Sequence, residues 1–247
     1  DNIAIGYIAL GAVNSGSDNC VFGGYSMDAN TTGGDNCAFG KSSLGANTTG
    51  NYNTALGREA LLANTTASHN VAVGYQAGYS VTTQQYNVFV GSQSGELTTG
   101  QLNVAIGYYA GRNVTTGENY TFVGAYAGGA LTMTGHHNTG MGYLAMHRVT
   151  TGYDNTSLGD MSGQYISTGA RNTTVGRLSG DSINSGNYNI CLGYDAEPSS
   201  SSASGDCTFG DSNISNLRCN DTSISSLSDR RDKTDIVDLP TGLNFLN

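Results

Sequence analysis

Asn70-Val71-Ala72-Val73-Gly74-Tyr75-Gln76-Ala77-Gly78 decides the fold, because its pattern returns along most of the chain. The unit Asn-x-x-x-Gly places its glycine at Gly6, Gly23, Gly40, Gly57, Gly74, Gly91, Gly107, Gly124, Gly142, Gly159, Gly176, Gly193 and Gly210. Ten of the twelve spacings are seventeen residues, and one of sixteen and one of eighteen cancel. A fixed period in this range is the signature of stacked structural repeats. Both length changes precede a Thr-Thr-Gly segment or its equivalent (around Glu96–Thr98 and Gly129–Thr132), where a corner loop can absorb them.

The columns of the repeat supply the physics. Before the glycine stand Ile5, Phe22, Phe39, Leu56, Val73 and their equivalents; two residues earlier stand Ile3, Cys20, Cys37, Val71, Val88 or threonine, with a small residue between. This period-2 alternation predicts a short strand whose larger residues face a core. The glycine permits positive φ or close chain approach. Eleven of thirteen copies carry Asn four residues before it, Tyr120 and Asp206 being the exceptions. Asparagine tolerates left-handed turns and, stacked, forms amide ladders. Thr48-Thr49-Gly50 and its counterparts mark a second corner. One repeat therefore predicts one coil of an all-β parallel solenoid with two short strands and two corners, thirteen coils spanning roughly 58 Å at ~4.8 Å per step. Arg58–Ala63, helix-prone by composition, falls in register with coil and strand.

Composition fits such a chain. Glycine accounts for 36 of 247 residues, and only 12% are charged. There is neither the strict triplet of collagen nor the high charge of ordinary disorder. No apolar run is long enough for a transmembrane helix, so membrane insertion is not expected. A net charge of −9 argues against nucleic-acid binding, which needs clustered cations. Five cysteines without a C-x-x-C pair read as reduced, small core residues, with Cys20 and Cys37 stacked in one core column. A thin coil buries few apolar groups for the chain it orders. Rods packed side by side, through the Ala/Ser column at Ala9, Ser26, Ser43, Ala60 and Ala77, would add burial, and a homo-oligomer is expected.

The unit Asn70–Gly78 resembles repeats of tail-fibre proteins of tailed phages, marine cyanophages especially. It is similar, more distantly, to head repeats of trimeric autotransporter adhesins. The resemblance covers residues 1 to about 210. It implies left-handed β-rolls packed as a homotrimer, located in a virion tail fibre, with a host cell-surface glycan or protein receptor and other tail or fibre proteins as partners. Leu227-Ser228-Asp229-Arg230-Arg231-Asp232-Lys233-Thr234-Asp235-Ile236 resembles the opening of the endosialidase-type intramolecular chaperone, a self-cleaving domain of phage fibres. That resemblance implies Ser228 as nucleophile and Lys233 as its base, in a one-time autoproteolysis beside Ser228. A lysine can activate serine when burial or nearby cations such as Arg230 and Arg231 depress its pKa. The bland alternative is a polar helix start capped by Ser228. The division expected is a shaft over 1–196, a strand-rich transition over 197–227, and the start of a truncated chaperone over 228–247. The chain starts within a repeat at Asp1 and stops within that domain at Asn247, so a fragment of a longer protein is expected.

Other features have plainer readings beside the functional ones. Tyr7, Tyr75, Tyr108, Tyr143 and Tyr194 share the position after the anchor glycine, where exposed rings suit glycan contact, with Tyr75, Tyr108 and Tyr143 as the candidates, or an oligomer seam. His69, His136, His137 and His147 suit corners or surface, and no metal site or cofactor is expected. Gly34–Ser42 misses the phosphate-loop spacing, and Asn30-Thr31-Thr32 is a by-product of the corner. A bacterial trimeric surface adhesin or extracellular filament is the rival assignment, placing the chain on a cell surface. The Thr-Thr column raises a remote alternative, ice binding.

Overall fold

A computed structural model describes residues 1–12 and 15–216, and its solenoid unit spans Asp1–Ile214. The unit is an all-β parallel solenoid of about twelve turns, with no helix among the described residues. Each coil contributes one three-residue strand: β1 (Ile3–Ile5), β2 (Cys20–Phe22), β3 (Cys37–Phe39), β4 (Thr54–Leu56), β5 (Val71–Val73), β6 (Val88–Val90), β7 (Val104–Ile106), β8 (Thr121–Val123), β9 (Thr139–Met141), β10 (Thr156–Leu158), β11 (Thr173–Val175), β12 (Ile190–Leu192) and β13 (Cys207–Phe209). All thirteen pair in chain order as one parallel sheet. Register survives both length changes, with Val88 opposite Val104 and Thr121 opposite Thr139.

Two expectations do not hold. Each coil has one strand rather than two. The opposite side is a run of turns in which Glu59, Leu61, Gln76 and their equivalents take φ near +50 to +60°, outside the strand region. These turns still stack by hydrogen bonds from coil to coil, as Leu44 N–H to Ala60 C=O and Leu61 N–H to Ala77 C=O, both 3.0 Å. The helix-prone Arg58–Ala63 lies in this turn run. The tertiary stack has overridden local propensity.

The strand is also inverted. From β2 to β12 the middle residue is buried and the residues on either side point outward, although in most strands they are the larger ones. The cause is width: the interior of so short a coil already holds an asparagine, an Ala/Ser and one or two apolar side chains. The Ala/Ser column is part of that interior rather than a seam between rods; Ser26, Ser43, Ala60 and Ala77 are fully buried. Cys20 and Cys37 do stack, opposite one another in β2 and β3, but on the outward face and half-buried, as free thiols. Where the middle residue is large, glycine makes room. A Cβ on Gly95 would overlap the Phe89 ring, and one on Gly128 would overlap the ring of Phe122. Volumes are traded further round the coil. Met27, Leu44 and Leu61 accompany Asn30, Asn47 and Asn64, whereas Gly163 and Gly180 accompany Ile166 and Ile183 at the same positions.

The asparagine ladder is realised. Asn36 N–H donates to Asn19 Oδ1 at 3.1 Å, Asn53 N–H to Asn36 Oδ1 at 2.9 Å, and Asn70 N–H to Asn53 Oδ1 at 3.0 Å. Each amide also reaches across the coil, as Asn155 Nδ2 does to Gly169 C=O at 2.8 Å. Interior polar groups are thereby paired, which a thin core requires. The left-handed residue is not the asparagine but the one before it, such as Tyr52 and His69 at φ +58° and +60°. Tyr120 interrupts the ladder with a buried ring whose hydroxyl meets Thr98 Oγ1 at 3.0 Å. The anchor glycines are obligatory: Gly74 sits at φ +135°, and a Cβ there would collide with the Gly91 carbonyl of the next coil. The threonine corner stacks as well, with Thr48 N–H and Oγ1–H both donating to Thr65 C=O at 2.8 and 3.0 Å.

Candidate functional surfaces

Because the strands are inverted, the solenoid carries a long apolar face on its outside. The two outward columns contain no charged residue on any of the thirteen strands. Phe22 is 49% exposed, Phe39 39% and Ile106 38%, with Ile5, Leu56, Met141, Val175 and Phe209 in the same column also exposed. Phe22 and Phe39 stack with centroids 5.7 Å apart. Contiguous apolar surface of this kind is unusual on an isolated soluble chain.

Charged and aromatic residues border that face. On one side, His69 is stacked between Tyr52 and Tyr86, at 4.9 and 5.2 Å, directly before the ladder asparagines. Farther along the same border, Arg171 lies over Tyr153 and Tyr188, at 5.1 and 5.3 Å, and pairs with Asp154. The remaining histidines lie at turns or on the surface. His137 is 3.4 Å from Asp154, His136 accepts from Glu118 N–H at 3.1 Å, and His147 Nδ1 is 2.9 Å from the Tyr126 carbonyl.

The other border follows the anchor glycines. Tyr75, Tyr108 and Tyr143 are all exposed there. Tyr126, from the adjoining column, stands edge-on to Tyr108 at 5.4 Å and to Tyr143 at 6.3 Å. Hydrogen bonding to Tyr109, followed by desolvation and the nearby phenols, pushes Tyr108 up to about 12, so its hydroxyl stays protonated. A polar chain runs beside these rings. Gln76 donates to Glu59 at 2.8 Å, Gln93 donates to Gln76 at 3.3 Å and to Glu96 at 2.9 Å, and Arg112 pairs with Glu96 at 2.5 Å while lying over Tyr109. The sequence shows the tyrosine column directly. It does not show this chain of amides and carboxylates as readily, because it crosses from one column, Glu59, Gln76 and Gln93, to another, Glu96 and Arg112, and joins them only when coils stack.

At the C-terminal end of the stack, Asp195, Glu197, Thr208, Phe209 and Asp211 line an open cleft. Burial pushes the Glu197 carboxyl up to about 7 despite donors from Ser182. That carboxylate accepts from the Asp181 and Ser182 backbone N–H groups at 2.8 and 3.1 Å, closing turns of the coil before it. Among the described residues no group of three or more His, Cys, Asp or Glu could hold a metal ion, and no helix is long and apolar enough to cross a membrane. Ser228 and Lys233, with the part of the strand-rich transition that follows Asn216, lie outside the described residues. No family model, curated protein or solved structure matches this chain.

Proposed function

We propose that this chain is the structural shaft of a phage tail fibre, in which three copies pack side by side through their outer sheet faces and carry host attachment. The observation that supports it is the charge-free outer face of the sheet, with Phe22, Phe39, Leu56, Ile106 and Met141 exposed along it. Burying such a face against equivalent faces would stabilise a thin solenoid at roughly 25 cal/mol per Å² of apolar surface removed from water. Stacked repeats that contact only their neighbours also make an extended spacer, as a shaft requires. The test is the native mass of the purified chain. Three copies are expected; a monomer at micromolar concentration would overturn the assembly.

Maturation by self-cleavage belongs to the same reading and rests on the sequence from Leu227 to Ile236. The Ser228 hydroxyl would attack an adjacent peptide carbonyl while the neutral Lys233 amine takes its proton and passes it to the departing amine as the C–N bond breaks, and water would then hydrolyse the ester and restore the serine. Masses of the precursor, extended past Asn247, should differ between the native chain and Ser228→Ala. Identical products would sink this step. A bacterial surface adhesin would use the same coils, and the sequence following Asn247 separates the two: a complete chaperone domain for the fibre, a membrane-anchor barrel for the adhesin.

A further inference from the structure

From β5 to β9 the tyrosine border has a period of its own, twice that of the coils, with Tyr7 and Tyr194 lying outside this stretch. Tyr75, Tyr108 and Tyr143 directly follow the anchor glycines after β5, β7 and β9, whereas the small residues Ser92 and Ala125 hold that place after β6 and β8. Successive coils lie ~4.8 Å apart, so neighbouring tyrosines recur at about 10 Å. That is close to one disaccharide repeat of an extended β-1,4-linked glycan, in which every second ring presents the same face. Ser92 leaves room for the intervening sugar between Tyr75 and Tyr108, whereas between Tyr108 and Tyr143 the Tyr126 ring, edge-on to both, supplies a further apolar contact. Beside the strip, the Glu59–Gln76–Gln93–Glu96–Arg112 chain offers amide and carboxylate groups of the kind that pair with sugar hydroxyls.

We infer that this strip binds a linear, neutral, β-1,4-linked glycan along the solenoid axis, one disaccharide for every two coils. Sugar rings carry their C–H bonds on flat faces, and tyrosine presents an apolar ring with a polar tip to match. A neutral glycan suits a chain of net charge −9 and a strip whose two carboxylates are each paired with a guanidinium, Glu59 with Arg58 and Glu96 with Arg112. An α-1,4-linked chain curls and loses register with evenly spaced platforms. The inference deepens the attachment part of the proposed function and rests on it for biological purpose. Binding itself requires only that the strip stay exposed in the assembled protein.

The experiment is calorimetric titration of the purified chain with cellohexaose, chitohexaose, maltohexaose and cellobiose. At least one of the two β-linked hexasaccharides should bind; which one does so tells whether the N-acetyl group is recognised. Cellobiose should bind more weakly than the hexasaccharide, because a longer chain engages several platforms at once. Tyr108→Ala, removing the central platform, should weaken binding roughly tenfold, and Tyr108→Phe should restore most of it. Tyr7→Ala, outside the strip, should change nothing. Binding of neither β-linked hexasaccharide, equal binding of maltohexaose, or full affinity in a folded Tyr108→Ala would each overturn the inference. The oligomeric state is read separately: a monomer that binds overturns the trimer alone, and a trimer that does not bind overturns the glycan alone.

Discussion

Phe89 and Ile106 are large apolar residues in neighbouring sections of one sheet, and they live in opposite environments. Phe89 is fully buried between Gly78 and Gly95, whereas Ile106 stands 38% exposed on the outer face. The difference teaches that in a coil this narrow, side-chain size does not identify the inside. What matters is whether the facing positions have been reduced to make room. The inner face should therefore control whether the coils fold, and the outer face what they pack against. Substitutions on the two faces can separate these roles.

The largest effect should come from Phe89→Ala. The glycines facing Phe89 have no side chains to fill the vacated space, so the cavity stays open at a cost of about 3–5 kcal/mol. Chemical denaturation should show that loss, and hydrogen exchange should rise in the coils carrying β5, β6 and β7. Asn155→Ala comes next, at about 2–3 kcal/mol. It takes the acceptor from Asn172 N–H and the donor from Gly169 C=O, leaving buried backbone groups unpaired. Faster exchange of the Asn172 amide is the local signature; unchanged exchange would remove the ladder from the stability argument.

These two residues also show how much the sequence disclosed. The asparagine column was legible because its chemistry needs no knowledge of neighbours: one amide repeated at one position can only stack on itself. The period, the parallel stacking, the glycine corner and the absence of helix at Arg58–Ala63 followed from the same regularity. Facing was not legible by size. Val71 and Val73 look like core and Ala72 like surface, yet Ala72 is fully buried and the valines are partly exposed. A signal did exist in the compensation between positions, since Phe89 and Phe122 occur where Gly78, Gly95 and Gly128 stand opposite. Reading it requires knowing which positions face each other across the coil. The second strand failed for a related reason, because left-handed φ at Leu44, Glu59 and Leu61 leaves no mark in residues that are not glycine. Of the candidate surfaces, the tyrosines were visible at once and the polar chain beside them only after stacking.

A smaller, pH-dependent effect belongs to the C-terminal end of the stack, where Glu197 occupies the coil position held by Leu44 and Leu61 earlier in the chain. Its carboxyl has an ordinary pKa of 4.5 and is raised to about 7 in the fold, chiefly by burial. The folded state then holds this proton more tightly than the unfolded chain does, so stability falls as pH rises from about 4.5 to about 7 and levels off above that. Solvent around a half-buried side chain screens the effect to about 1 kcal/mol. Melting curves across this range should show the decline, and Glu197→Gln should flatten it. An unchanged slope in that variant would assign the dependence to another group.

Ile106→Lys should disturb the fold least and the assembly most. The new side chain replaces one on an exposed column and clashes with nothing inside the coil, so the cost to the isolated chain should stay within about 0.5 kcal/mol. Three copies packed through this face would instead bring three ammonium groups into a surface that carries no compensating charge on any of its thirteen strands. Burying an unpaired charge costs several kcal/mol, enough to dissociate the assembly while leaving each solenoid intact. Native mass, read at concentrations where the native chain assembles, and melting temperature, read at dilutions where it does not, separate the two quantities. A lower mass with unchanged melting at dilutions where the native chain is also dissociated assigns assembly to the outer face. Loss of melting temperature at those dilutions would mean that the outer column supports the coil itself. An oligomer that persists with Lys at this position would move the seam elsewhere on the coil, leaving the inverted strand as a property of width alone.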